Sequence, residues 1–400
     1  MTVEDLHAAL ETFRIGLYDM AAFREESNHM TNLSKKLLAL AATGAVAFSL
    51  SACAGTATTA SGDANADCNV GISMPTRSLE RWINDGEQLQ KLLEADGCTV
   101  DLQYADNKTD QQISQIQNQV AGGAKILVVA PIDGKVLSPV LAEAKGQDAT
   151  VIAYDRLISG TEDVDYYATF DNYKVGTLQG QYIEKQLGLA DGAGPFNLEP
   201  FAGSPDDNNA KFFFSGAWDV LLPYVESGQL VVPSGKAPAS NDDWASIGIP
   251  GWASTASQAE MDNRISSFYT GDSKVDVVLS PNDSLALGIE ASLKSAGYTP
   301  GEGWPLIVGQ DADKANVMAI LDGEQSMTVW KDTRTLGEQV FTMVQQIVAG
   351  DTVKVNDTTS YNNGVKDVPS YLLDPEVVVK DDVQTKLVDS GFVKAGDVGL

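Results

Sequence analysis

The polar residues of this sequence that can do chemistry recur in one setting, directly after a short apolar run. "AYDR" places Asp155 and Arg156 there, "TFDN" places Asp171 and Asn172, and "FAGSPDDNNAK" places Asp206, Asp207, Asn208 and Asn209. "LSPND" adds Asn282 and Asp283, "VGQD" adds Gln310 and Asp311, and "TVWKD" adds Lys331 and Asp332. Another run, "NVGISM", is followed by Arg77, Arg81 and Trp82. Any one of these has an ordinary explanation, because Asp and Asn cap helices and make turns. Together they describe a lining that is polar, near charge balance, and able both to give and to take hydrogen bonds. Sugar hydroxyls match such a lining: carboxylates accept from them, Arg and Lys donate to them, and Asn does both. The apolar C–H faces of a pyranose want a flat aromatic partner. Trp82 and Trp252, the latter in "IGIPGWAS", are the candidates, although Trp82 also reads as a core residue on a helix.

Composition narrows the alternatives. The chain has 400 residues, 55 acidic against 27 basic side chains, and a formal net charge of −28. Such a surface repels phosphate backbones, so nucleic acid is a poor partner. No glycine-rich phosphate loop of the P-loop or dinucleotide type is present, and no EF-hand spacing marks a calcium loop. The two histidines, His7 and His29, both precede an export signal. A mature chain without imidazole has no Ser–His dyad and no His-ligated metal, which removes many enzyme mechanisms. Neither a cofactor nor a metal is expected.

The elements that must hold these residues alternate. "NVGISM", "TVDLQYA", "KILVVAP", "TVIAYD" and "DYYATFD" read as buried strands, with amphipathic helices between them. The scheme restarts with "GPFNLEPFAGS", "QLVVPSG", "VDVVLSP", "LIVGQD" and "MTVWKD". The expected fold is α/β, with two doubly wound parallel-sheet lobes and a ligand cleft between them. Ligands of such sheets lie beyond the carboxyl ends of the strands, where the polar residues fall.

Residues 31–53, "TNLSKKLLALAATGAVAFSLSAC", read as an address. Lys35 and Lys36 form a basic start, Leu37 to Leu50 an apolar stretch too short for a usual span, and "LSAC" resembles a bacterial lipobox ending in a lipidated Cys53. Met30 is read as the initiator, residues 1–29 as a gene-model extension, 30–52 as a lipoprotein signal peptide and 53–67 as a flexible tether. Export lets the remaining cysteines oxidise. Cys68 and Cys98 each precede a strand, and if those strands are parallel neighbours both thiols lie at one end of the sheet. They are either a disulfide or two buried thiols.

At these residues the chain resembles the periplasmic sugar-binding proteins of ABC importers, the type I solute-binding family, and within it the xylose-binding and multiple-monosaccharide-binding branch. The resemblance runs from about residue 69 to the end, through "RSLERW", "QYADN", "VIAYDRLI", "YYATFDNYKVG", "GSPDDNNAK", "VLSPNDSLALG", "VGQDAD" and "NDTTSYNNGVKDVPSYLL". It implies sugar contacts from Arg81, Asp155, Arg156, Asn208, Asn209, Asn282, Asp283, Asp311 and Lys331, with Trp82 and Trp252 stacking on the two sugar faces. The segment "KAPASNDDWASIGIPGW", which carries Trp252, departs from the family pattern. The resemblance also implies three crossings between lobes, near Asp171, Lys331 and Tyr361. One lobe then takes 68–170 plus 333–360, and the other 171–332 plus 361–400. The expected protein is a monomeric, lipid-anchored receptor, not an enzyme, which captures a monosaccharide such as xylose or glucose and presents it to a membrane ABC permease. The alternatives are an exported glycosidase using strand-end carboxylates and a sensor that shows its closed form to a membrane kinase.

Overall fold

Two six-stranded sheets, each covered by helices, are built by the described residues, 68–301 and 303–400, of this computed structural model. The expected signal peptide, tether and lipidated Cys53 lie outside the described residues. The first sheet contains β1 (Asn69–Met74), β2 (Thr99–Tyr104), β3 (Ile126–Val129), β4 (Thr150–Tyr154), β5 (Tyr166–Phe170) and β11 (Ser370–Leu373), in the order β11-β5-β4-β3-β1-β2. The second contains β6 (Phe196–Pro200), β7 (Leu230–Val231), β8 (Val277–Leu279), β9 (Leu306–Gln310), β10 (Met327–Trp330) and β12 (Glu376–Val378), in the order β12-β10-β9-β8-β6-β7. Every pair is parallel except β10 with β12. The strand order reverses at β1/β3 and again at β6/β8, the crevice where open parallel sheets take ligands.

The burial pattern explains the architecture. Alternate residues of a strand face opposite sides. Ile72, Val128, Ile152 and Phe170 therefore meet Trp82, Leu89 and Leu93 of α1 (Glu80–Ala95) and Leu336, Val340 and Met343 of α9 (Thr333–Ala349). On the other face Leu127, Val151 and Tyr167 meet Ile116 of α2 (Thr109–Ala121) and Val140 of α3 (Ser138–Lys145). The second lobe packs α4 (Asn172–Leu187), α5 (Asn208–Glu226), α6 (Ser254–Phe268), α7 (Asp283–Ser295) and α8 (Lys314–Asp322) around its sheet. Helices α4 and α5 cross backbone to backbone: at Gly216 a Cβ has no room, because the Tyr173 carbonyl stands in its place. A disulfide joins Cys68 to Cys98, 30 residues apart, at the sheet end remote from the polar strand ends. A crosslink of that span typically contributes about 2–4 kcal/mol, chiefly by restricting the unfolded chain.

The chain crosses between sheets three times. Two crossings fall at Asp171, between β5 and α4, and at Lys331–Asp332, between β10 and α9. The third differs from the expectation of Tyr361. Residues 361–373 belong with the first lobe, because Ser370–Leu373 pairs in parallel with Tyr167–Phe170 and Asn363 donates to the carbonyls of Ile158 and Thr161. The chain leaves only after Leu373, and Glu376–Val378 then adds an antiparallel edge to β10. A short edge strand carries too little local pattern to declare which sheet will accept it.

Among the buried acids outside the polar strand ends is Glu290. Glu290 of α7 is 2% exposed and its Oε1 has no hydrogen-bond partner. Burial and the neighbouring Glu324, against a smaller effect of Lys294, push its carboxyl up to about 8. The unfolded chain ionises this group at ordinary acidic pH, so the folded state loses relative stability as pH rises from ~4.5 toward 8. Glu290→Gln should therefore melt higher than the parent at pH 8 and alike at pH 4; equal melting temperatures at pH 8 would contradict this.

Candidate functional site

The carboxyl ends of both sheets converge on one cavity, about 300 Å³ of atom-free space including its mouth. Its polar lining is Arg81, Asp155, Arg156, Asp207, Asn209, Asn282, Gln310, Asp311 and Lys331, with Leu79, Trp82, Phe213 and Trp252 as the apolar part. Asp155, Arg156, Asn282, Asp311 and Lys331 closely follow buried strands and turn into the cleft, Gln310 is the last residue of β9, Asp207 caps α5, and Arg81 and Asn209 project from the first turns of α1 and α5. Asp155 leaves β4 with φ 59° and Asp311 leaves β9 with φ 103°, left-handed conformations that are costly for residues other than glycine. The Asp155 turn is held through its carbonyl, which accepts from the Tyr167 hydroxyl, the Thr169 hydroxyl and the Asn209 amide.

Arg81 is the centre of the charge network. Its guanidinium donates to Asp85 Oδ2 at 3.1 Å, to Asp155 Oδ1 at 2.7 Å and, from Nη1, to Asp311 Oδ1 at 3.2 Å. Asp85 lies one helical turn along α1, fully buried, and is fixed from its other oxygen by the Tyr154 hydroxyl. Burial pushes the Asp85 carboxyl up to about 6 despite the opposing Arg81. Asp311 also takes Lys331 Nζ at 2.9 Å. Burial acts to raise the Asp311 carboxyl, but Lys331 and Arg81 outweigh it and hold the group below the usual range. Arg156 reaches across the cleft to Asp207 Oδ2 at 2.8 Å, while Asp207 Oδ1 accepts from the Asn209 N–H at the start of α5. Three cations thus face three carboxylates within the lining, and Arg81–Asp311 and Arg156–Asp207 join one lobe directly to the other.

The aromatic walls are built differently. Trp82 belongs to the first lobe's core and is 1% exposed, yet it borders the cavity, with the guanidinium carbons of Arg81 and Arg156 4.5 and 5.0 Å from its ring centre. Trp82 is thus a core residue of the first lobe that also borders the cavity. Trp252 sits at φ 54° after Pro250-Gly251, donates from Nε1 to Asp207 at 3.2 Å, and presents its ring to Phe213 edge-on. Its six-membered ring lies on Gly203, where any Cβ would overlap it. That glycine belongs to the "GSPDDNN" segment, so one short stretch seats Trp252 and supplies both Asp207 and Asn209.

Two expected residues are not brought to the cavity. Asn208 precedes Asn209 on α5, and a helix turns about 100° per residue, so the side chain of Asn209 enters the cleft and that of Asn208 does not. Asp283 is fully buried behind it. Its oxygens accept from Gln325 Nε2 at 2.8 Å, from the Thr328 hydroxyl at 3.1 Å and from the Asp313 N–H at 3.1 Å, so it anchors the first turn of α7. Burial and the adjacent Asp313 carboxylate push it upward. Conversely, Asp207, Gln310, Leu79 and Phe213 line the cavity although the family resemblance did not place them among the sugar contacts. Asp207 and Gln310 stand in the quoted strand-end motifs. Phe213 lies four residues after Asn209, on the same helix face. Asp85, four residues after Arg81, was detectable by the same spacing.

A two-lobed α/β fold with a charge-balanced polar cleft at both sheet ends defines an extracytoplasmic-type solute receptor. The chain belongs to the periplasmic binding protein family: the pattern described as "Periplasmic binding protein domain" matches residues 70–352. It is 50% identical over 327 residues to the multiple sugar-binding periplasmic receptor ChvE of Rhizobium radiobacter, covering 82% of this chain and 91% of that protein. Against the D-xylose-binding periplasmic protein of Escherichia coli the identity is 35%, covering 83% and 93%. A solved ABC transporter solute-binding protein from Clostridium phytofermentans, with bound β-D-glucose, superposes with a TM-score of 0.78 at 48% identity, covering 82% of this chain and 99% of that one.

Gly203→Ala should leave the far-UV circular dichroism unchanged and alter the near-UV tryptophan bands, because the indole of Trp252 must move. Superimposable near-UV spectra would show that Trp252 does not rest on this glycine.

Proposed function

We propose that this protein is an extracytoplasmic receptor that captures a monosaccharide in its cleft and delivers it to an ABC permease. The observation that carries this reading is the lining itself: three cations balanced by three carboxylates, three carboxamides and two indoles around one small cavity. A neutral polyol meets partners there in every direction, whereas a phosphate or a dicarboxylate would leave like charges unpaired. Relatives whose names record sugar binding, and a neighbour solved with glucose, support the same ligand class. The sugar is an aldopyranose, xylose or glucose being the leading candidates, held by Arg81, Asp155, Arg156, Asp207, Asn209, Asn282, Asp311 and Lys331 between Trp82 and Trp252. The lipobox-like "LSAC" supports anchoring of the mature chain through a lipid on Cys53.

The cross-lobe contacts explain how binding is signalled. Sugar hydroxyls share the charges that otherwise pair lobe to lobe, so the ligand adds bonds that only the closed arrangement offers and shifts the population toward it. The glycosidase alternative needs a carboxyl held protonated as general acid. The depressed Asp311 works against it, and so does the commitment of both Asp155 and Asp311 to Arg81. Turnover of an aryl glycoside would favour it.

Calorimetry against a panel of aldoses, ketoses and polyols should find saturable, one-to-one binding of at least one aldopyranose; no heat with any member would sink the receptor reading. Asp155→Asn keeps a residue that tolerates the left-handed turn and removes one charge from Arg81. Its sugar affinity should fall by roughly tenfold to a hundredfold, and its melting temperature should drop as well, because the buried Arg81 loses one of its carboxylates. Wild-type affinity in this variant would remove Asp155 from the site.

A further inference from the structure

Most polar atoms of the cavity wall are already committed to protein partners. Asp207 uses both oxygens, Asn209 both ends of its amide, Asn282 Oδ1 caps α7 by accepting the Leu285 N–H, and Asp311 serves two cations. Among the described lining residues, two buried polar side-chain atoms have no partner: Trp82 Nε1, a donor, and Gln310 Oε1. Gln310 is 1% exposed and ends β9, a strand inside the second sheet, on the same face as the fully buried Val308. An amide at such a position is unfavourable unless something hydrogen-bonds to it. Its backbone is paired with β10, so the need rests with the side chain.

We infer that Gln310 is a specificity-determining residue, whose carboxamide reads one hydroxyl of the bound aldopyranose. The inference rests on the sugar-receptor reading. The amide is neutral and carries a donor and an acceptor, whichever way it is turned, so it complements a hydroxyl without disturbing the balance of charges around Arg81. A sugar lacking that hydroxyl leaves the buried oxygen unpaired and is rejected on that account. The charged residues grip any polyol of suitable size, and Gln310 discriminates among them.

The test compares wild-type protein, Gln310→Leu and the isosteric Gln310→Glu by calorimetry, using the aldose that wild type binds best and its complete set of monodeoxy analogues. Wild type should bind one monodeoxy analogue at least roughly tenfold more weakly than the parent sugar, and Gln310→Leu should bind that analogue and the parent alike. Gln310→Glu should weaken the parent sugar at some cost in melting temperature, because it buries a charge; wild type binding every monodeoxy analogue as well as the parent would overturn the inference even if both variants fold poorly. Wild-type affinities in both variants, or an equal loss across every analogue, would overturn the inference. Failure of wild type to bind any aldose instead overturns the receptor reading itself.

Discussion

The Arg81 guanidinium joined to Asp85, Asp155 and Asp311 is the interaction on which the cleft depends. All four groups are nearly or fully buried, and desolvating charge is expensive. Such clusters add little net stability compared with an apolar core, but losing one member costs about 3–5 kcal/mol, because its partners are left unpaired. The network is therefore better understood as a specification than as glue. It dictates where β4 and β9 must end, which turn each takes, and how the two lobes face one another. Asp85 holds the guanidinium flat against its own helix, leaving the remaining donors pointed at the two lobes.

Many of the same side chains also serve local structure. Asp207 and Asn282 cap α5 and α7, and Asp171 and Asp332 cap α4 and α9 at two of the three crossings. A capping oxygen lies at a helix N-terminus just beyond a strand end, which in a parallel sheet is also the rim of the ligand crevice. Capping and binding are thus not competing explanations for an Asp at a strand end. Asp207 does both at once, one oxygen on the helix and the other on Arg156 and Trp252. Asp283, by contrast, is absorbed entirely by its neighbours behind the cavity.

The two lobes divide the mechanical roles. The disulfide stiffens the end of the first sheet away from the cleft, while near the cleft the lobes meet through ion pairs, the hydrogen bonds of Asn209 to Tyr167 and to the Asp155 carbonyl, and the contact of the Phe212 and Tyr361 rings. At the rim, Lys314 of the second lobe pairs with Glu80 of the first at 2.7 Å, partly exposed, where solvent and salt weaken it. Closure thus relies on contacts cheap to break at the edge and demanding to satisfy at the centre.

Much of this was legible in the sequence, because strand–helix alternation and strand-end polarity are local patterns. They determined two doubly wound lobes and a cleft at the carboxyl ends, while the family resemblance supplied nine of the lining side chains, Arg81, Trp82, Asp155, Arg156, Asn209, Trp252, Asn282, Asp311 and Lys331. Tertiary structure decided what depends on direction. Of Asn208 and Asn209, adjacent helical residues that point about 100° apart, and of Asn282 and Asp283, the extended cap and the first residue of α7, only packing selects which faces the cavity. Packing also brought Asp207 onto Arg156, seated Trp252 on Gly203 and gave Ser370–Leu373 to the first sheet. Sequence specifies which side chains stand at each strand end. Which of them share a cavity is settled by contacts between residues far apart in the chain, on which no local pattern reports.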